Sequence, residues 1–268
     1  MTDRYESLKP ELVRVPRGNV PPGARLVRLR LSDRPGSLAR VTERFAAHRV
    51  DVLRLEVVGR EGGWAVDDFL VSGHGLQKAL AELRPDAVVL AERENVDLPD
   101  PGLAMAAACA SVTSADSRRG AYTKLVEASL GLVFAEAGFV CVREPHDLLR
   151  PVASTVPKLP VIEGGQPSLL LSALHSGACL TADGRAPWVP LAHRNLLPGG
   201  SIAAIPGGEP ASLVLTLVRR DDAPFVEAEL SRLAALVSVA VGTFQLHEAN
   251  VALARRNRTG FNWYAARS

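Results

Sequence analysis

The stretch from Arg25 to His48 constrains the fold more than any other. Arg25-Leu26-Val27-Arg28-Leu29-Arg30-Leu31 alternates apolar and basic side chains, the two-residue period of a half-buried strand. Beyond Asp33-Arg34-Pro35-Gly36 the period changes, and Leu38, Val41 and Phe45 recur on one helical face. Proline fixes φ for the first helical turn, and glycine lets another group approach the backbone. A helix N-terminus also presents N–H groups without intrahelical partners, which suit an anion. Strand, Pro-Gly turn and helix together predict a receptor for a small carboxylate, a task of sensing and not of catalysis.

The following residues continue the pattern. Val50 to Val58 reads as a strand with Leu53, Leu55 and Val57 facing one way and Arg54 and Glu56 the other. Gly59-Arg60-Glu61-Gly62-Gly63 reads as a hairpin turn. Trp64 to Val71 is a third strand, Leu76, Leu80 and Leu83 mark a helix ended by Pro85, and Ala87 to Ala91 is a fourth strand. The order is βαββαβ, a split βαβ arrangement. Residues 1–24, with Pro10, Pro16, Pro21 and Pro22, read as an extended arm, and residues 95–102 as a linker.

Beyond the linker, Leu103 to Val112 and Ala121 to Ala137 read as helices and Gly138 to Arg143 as a strand. Pro145 to Gly165 reads as irregular, Ser168 to His175 as a helix, and Gly177 to Pro198 as several turns. Ser201 to Ile205 and Ser212 to Val218 read as adjacent antiparallel strands. From Pro224, Val226, Leu230, Leu233, Val237, Val241 and Phe244 recur at the steps of a long helix. Residues 249–268 carry Arg255, Arg256, Arg258 and Arg267 with no acidic residue, and read as a basic tail.

Length and chemistry narrow the function classes. A chain of 268 residues holds two ordinary domains. Its net charge of +2, spread over both halves, gives no positive field that recommends nucleic acid. The bias toward arginine, with only Lys9, Lys78, Lys124 and Lys158 as lysines, points to a GC-rich bacterial genome. Cys109, Cys141 and Cys179 are widely spaced and lack metal-ligand patterns, so buried reduced thiols in a cytoplasmic protein are expected. No apolar stretch has the continuity of a membrane span. The six histidines show no metal spacing, and no metal or other cofactor is expected. Asp67 and Asp68 are neighbours in a strand, point to opposite faces, and therefore cannot converge as an acid/base pair. Gly164-Gly165, Gly199-Gly200 and Gly207-Gly208 lack a phosphate-loop pattern, and no serine sits in a GxSxG setting. No catalytic residue is identified.

Residues 25–92 resemble an ACT domain. The resemblance is carried by Asp33-Arg34-Pro35-Gly36-Ser37-Leu38, by Phe45 ahead of Arg49-Val50-Asp51-Val52, and by Trp64-Ala65-Val66-Asp67-Asp68-Phe69 leading to Gly75. It implies a regulatory module that binds an amino acid at an interface between two such domains. The clasp would be the turn after strand one and the start of strand two. Carried over, the resemblance assigns ligand contact to Asp33, to the backbone donors of Gly36, Ser37 and Leu38, and to Asp51. The family often has asparagine where this chain has Asp33 and Asp51; two carboxylates suit an ammonium group and equally repel an amino acid's carboxylate.

Residues 103–246 resemble, more loosely, a GAF domain. This rests on the Phe139-Val140-Cys141-Val142 strand, a helix near Ser168, the Ala211 to Leu217 strand and the Pro224-Phe225 lead into the terminal helix. The resemblance implies a small-molecule pocket or a dimerisation unit, with Trp188, His193 and Arg194 in the loop that often lines such pockets.

The expected fold is α+β: a ferredoxin-like βαββαβ domain at 25–94, then a GAF-like antiparallel sheet with flanking helices at 103–248. The expected function is a non-catalytic amino-acid sensor, a cytoplasmic homodimer passing its signal to a separate protein partner. Two alternatives stand beside it. One is an enzyme under ACT regulation, with residues 103–268 as its catalytic part; the other is a dimerisation adaptor without ligand.

Overall fold

Each half of the chain builds its own antiparallel sheet in the computed structural model, which describes residues 20–84, 86–94, 100–156, 179–183, 200–208, 212–220 and 223–261. The first contains β1 (Arg25–Ser32), α1 (Ser37–Ala47), β2 (Asp51–Glu61), β3 (Trp64–Ser72), α2 (Leu76–Leu83) and β4 (Ala87–Glu94). The strand order is β2-β3-β1-β4, which places β1 and β3 at the centre. Both helices cover one face, where Val27, Leu29, Leu31, Phe69 and Val71 meet Val41, Phe45, Leu76 and Leu80. Phe45 and Phe69 pack edge to face, centroids 5.5 Å apart.

β2 departs from the expected alternation. Its pairing with β3 shifts at Leu53 and again at Val58, so each is an extra residue opposite the regular ladder. Val52, Leu55 and Val57 therefore share the helix-facing side, with Val57 exposed near the hairpin, whereas Leu53 is the exposed extra residue. The strand also runs on through Gly59 to Glu61, leaving only Gly62 and Gly63 as the turn. The end of the expected arm is packed as well: Val20 and Ala24 lie against Leu26, Leu70 and Phe134.

The second half contains α3 (Pro101–Thr113), α4 (Arg118–Val133), β5 (Ala137–Glu144), β6 (Leu148–Ser154), β7 (Leu180–Asp183), β8 (Ser201–Gly207), β9 (Leu213–Arg219) and α5 (Glu227–Phe261). Its sheet order is β6-β5-β9-β8-β7. The three helices bury Val112, Leu125, Val133, Leu233, Val237 and Phe244 against Val140, Ile205, Leu215 and Leu217 of the sheet. On the opposite sheet face Phe139, Cys141, Leu149, Ile202 and Val214 form a second apolar cluster.

Several boundaries differ from expectation for local reasons. Asp100 accepts hydrogen bonds from the N–H groups of Gly102 and Leu103 at 2.9 and 3.0 Å, so the end of the expected linker caps α3. β6 and β7 lie in stretches that read as irregular. Pro151 masks β6, yet β6 is an edge strand with a register shift opposite Val140 and Cys141, where proline is tolerated. The expected helix at Ser168 to His175 lies outside the described residues. α5 continues to Phe261, so the start of the expected tail is helical. By length and composition Glu227–Leu253 is long and apolar enough to cross a membrane, contrary to the sequence reading. Its apolar residues Leu233, Leu236, Val237, Ala240 and Phe244 are instead buried in the second domain's core.

Candidate functional site

The turn between β1 and α1 is held from both sides. The Asp33 N–H donates to Gly63 O at 2.8 Å, tying it to the β2–β3 hairpin, and the Ser37 N–H donates to Arg34 O at 3.1 Å. Gly36 is the cap residue of α1 with φ of 86°, a conformation glycine adopts without strain. No side chain caps this helix, so Asp33 is not a cap; its carboxylate instead stands 3.9 Å from Arg60 Nε. Ser37 is buried, and its hydroxyl accepts from Arg40 Nη2 at 3.1 Å. Because the Ser37 N–H already has an acceptor, the donors left at this end belong to Gly36, Leu38 and Ala39. That corrects the expected set by one residue.

Asp51 lies at the far end of the sheet. It pairs with Ser72 at the end of β3, whereas Ser32, just before Asp33, pairs with Trp64 at its beginning. The two candidate aspartates are therefore separated by most of a strand's length within one chain. One chain supplies half of the expected clasp at each end. Trp188, His193 and Arg194 lie outside the described residues.

The sequence sets Asp67 aside only as a member of an acid/base pair with Asp68. Asp67 lies on the helix-facing side of the sheet, in the row of Leu29 and Val57, with only 3% of its surface exposed. Its Oδ1 has no hydrogen-bond partner among the described residues. Burial pushes its carboxyl up to about 6, Arg60 opposes the shift, and Asp68 and Asp33 add to it. A carboxylate unsatisfied in this way, within electrostatic reach of Asp33, places a second acidic group near the turn.

The opposite sheet face was expected to be polar and solvated, and it is not. Leu26, Arg28 and Arg30 project from β1 toward the second domain. Leu26 packs with Phe134 at the end of α4. Arg28, 5% exposed, donates from Nε and Nη2 to both oxygens of Asp68 at 2.7 Å and from Nη1 to Glu229 Oε1 at 3.0 Å. Glu229, in the first turn of α5, also accepts from Arg219 Nη2 and, through Oε2, from the Val226 N–H at 3.1 Å. Arg219 in turn donates to Val133 O and Pro224 O. Arg232 on α5 reaches Glu56 on β2 at 2.7 Å. A chain of buried charges thus joins the two sheets.

Cys141 is buried, which pushes its thiol up to about 12 and keeps it protonated at neutral pH. Among the described residues, no three His, Cys, Asp or Glu side chains cluster to hold a metal ion.

The family model of the ACT domain matches residues 25–84. No curated protein matches the chain in sequence. Among solved structures, the chain is similar to the GAF domain from a phosphoenolpyruvate-protein phosphotransferase of Coxiella burnetii. That likeness has 16% identity and a TM-score of 0.47, and covers 57% of this chain and 96% of that one. It is similar also to the GAF domain/HD domain protein from Geobacter sulfurreducens, at 19% identity and a TM-score of 0.43, over 53% of this chain and 98% of that one. The Stigmatella aurantiaca phytochrome photosensory core module is 10% identical, with a TM-score of 0.49, over 75% of this chain and 43% of that one.

Proposed function

Because residues 25–84 are an ACT domain, a small-molecule-binding regulatory module, we propose that this chain is a non-catalytic, cytoplasmic amino-acid sensor. The observation that carries the reading is the N-terminus of α1, with no side-chain cap and with the N–H groups of Gly36, Leu38 and Ala39 unclaimed among the described residues. A ligand carboxylate docks on those donors, where the helix dipole favours negative charge. Its ammonium group is held by Asp33 and by Asp51 of a second copy. The opposite ends that Asp33 and Asp51 occupy support a shared site, since a two-fold pairing brings one copy's turn to the other's strand start. A ligand shared by two copies then stabilises the dimer by mass action, and the altered dimer is read by a separate protein.

A thermal-shift screen of the full chain against the common L-amino acids tests this. A ligand at about one hundred times its dissociation constant adds roughly 2.7 kcal/mol. The responding amino acid should lose its effect in Asp51→Ala, whose exposed side chain is not part of a core. It should lose it also in Gly36→Ala. A response retained in full by both variants moves the site elsewhere; turnover of an amino acid or its precursor makes the chain an enzyme.

A further inference from the structure

Arg28 and Arg30 lie two residues apart on the same face of β1, and they meet opposite fates. Arg28 is fully engaged by Asp68 and Glu229. The Arg30 side chain makes no hydrogen bond or ion pair among the described residues, and its buried Nε has no partner. Its guanidinium carbon lies 5.1 Å from the centroid of the Trp64 ring. Arg30 and Trp64 border a cleft of about 400 Å³ between the first sheet and the start of α5. That volume is in the range of small-molecule sites.

The opposite wall of the cleft is the first turn of α5, including Glu227, Ala228 and Ser231. The Val226 N–H is taken by Glu229, but the N–H groups of Glu227 and Ala228 have no intrahelical acceptor. α5 is 35 residues long, so the positive end of a long dipole faces the cleft. An unpaired guanidinium and a helix N-terminus on facing walls are two independent sources of affinity for one anion. Trp64, 44% exposed, and Val66 and Phe225 supply flat and apolar surface beside them. Arg60, Glu61 and Glu227 also line the cleft, so two guanidiniums stand against two carboxylates, a balance that suits a monoanion or a zwitterion better than a dianionic phosphate.

We propose that this interdomain cleft is a second small-molecule site, separate from the α1 turn, that takes a carboxylate carried on a flat apolar body. The carboxylate pairs with Arg30 and the first turn of α5, and the body lies against Trp64 and Phe225. Such a ligand touches both domains at once.

The test is calorimetric titration of the full chain with phenylacetate, L-phenylalanine and phenethylamine, which carry a carboxylate, a carboxylate with ammonium, and ammonium alone. Saturable binding of phenylacetate or L-phenylalanine, and none of phenethylamine, is expected. Arg30→Gln, which removes no native hydrogen bond, should weaken that binding at least tenfold. Ala228→Phe, which fills the cleft from the partly exposed first turn of α5, should weaken it likewise. Gly36→Ala should leave the binding of phenylacetate, which has no ammonium group for Asp33 and Asp51, unchanged, and that separates this site from the one at the α1 turn. The proposal is overturned by equal binding of phenethylamine, by no saturable binding of either carboxylate, or by binding that survives Arg30→Gln and Ala228→Phe.

Discussion

Glu229 receives three donors on two oxygens, from Arg28, Arg219 and the Val226 N–H, while 1% exposed. Burial alone would raise its carboxyl, but the Arg219 and Arg28 guanidiniums and the two hydrogen bonds hold it below the usual value of 4.5. Its share of stability is therefore present above that unfolded value and is lost as pH falls through the lower folded one. Glu229→Gln leaves two buried guanidiniums poorly compensated and should cost about 3–5 kcal/mol in urea unfolding at pH 7. Asp67 carries the opposite sign. Its carboxyl is raised from 3.8 to about 6, so the folded state holds the proton more tightly and stability falls as pH rises between those values. Asp67→Asn should add on the order of 2 kcal/mol at pH 7 and make no difference near pH 3. The sequence shows that Asp67 and Asp68 face opposite ways, since strand neighbours alternate. What each one meets depends on packing that no local pattern encodes.

At the scale of elements, strong periods were legible and weak ones were not. β1, α1, α2 and α5 follow from uninterrupted alternation or helical spacing, and β3 from its place after the glycine-rich hairpin turn. In β2, two register shifts break the alternation, and in β6 a proline hides an edge strand. Gly59 shows what the shift at Val58 achieves. It brings β2 against the start of α5, where a Cβ on Gly59 would lie 3.2 Å from Val226. Gly59→Val should therefore overpack this contact and cost about 1–3 kcal/mol by chemical denaturation. Gly36→Ala meets no such crowding, since only Arg40 comes within 3.9 Å. Its cost of about 1–2 kcal/mol should come from the left-handed backbone alone.

In the whole molecule, the first sheet is covered on both faces, by its own helices on one and by the second domain on the other. The alternation of Arg25 to Leu31 suggested a solvated face because charge in a strand usually means water; here Asp68 and Glu229 replace the water around Arg28. The two domains should consequently unfold in one transition. In Glu229→Gln, hydrogen exchange should quicken together in β1, β3 and the first turn of α5. The turn half of the proposed amino-acid site was legible because Pro-Gly ahead of a helix is a local signal. In the proposed pairing the other half belongs to a second copy, and the interdomain cleft arises only when both domains are assembled. Sedimentation velocity of the full chain, with each common L-amino acid in turn, reads the shared site directly. One amino acid is expected to shift the chain toward dimer, and Asp51→Ala is expected to abolish that shift. A distribution that no amino acid changes, or a shift that Asp51→Ala and Gly36→Ala both keep in full, would contradict a ligand held between one copy's α1 turn and the other copy's Asp51.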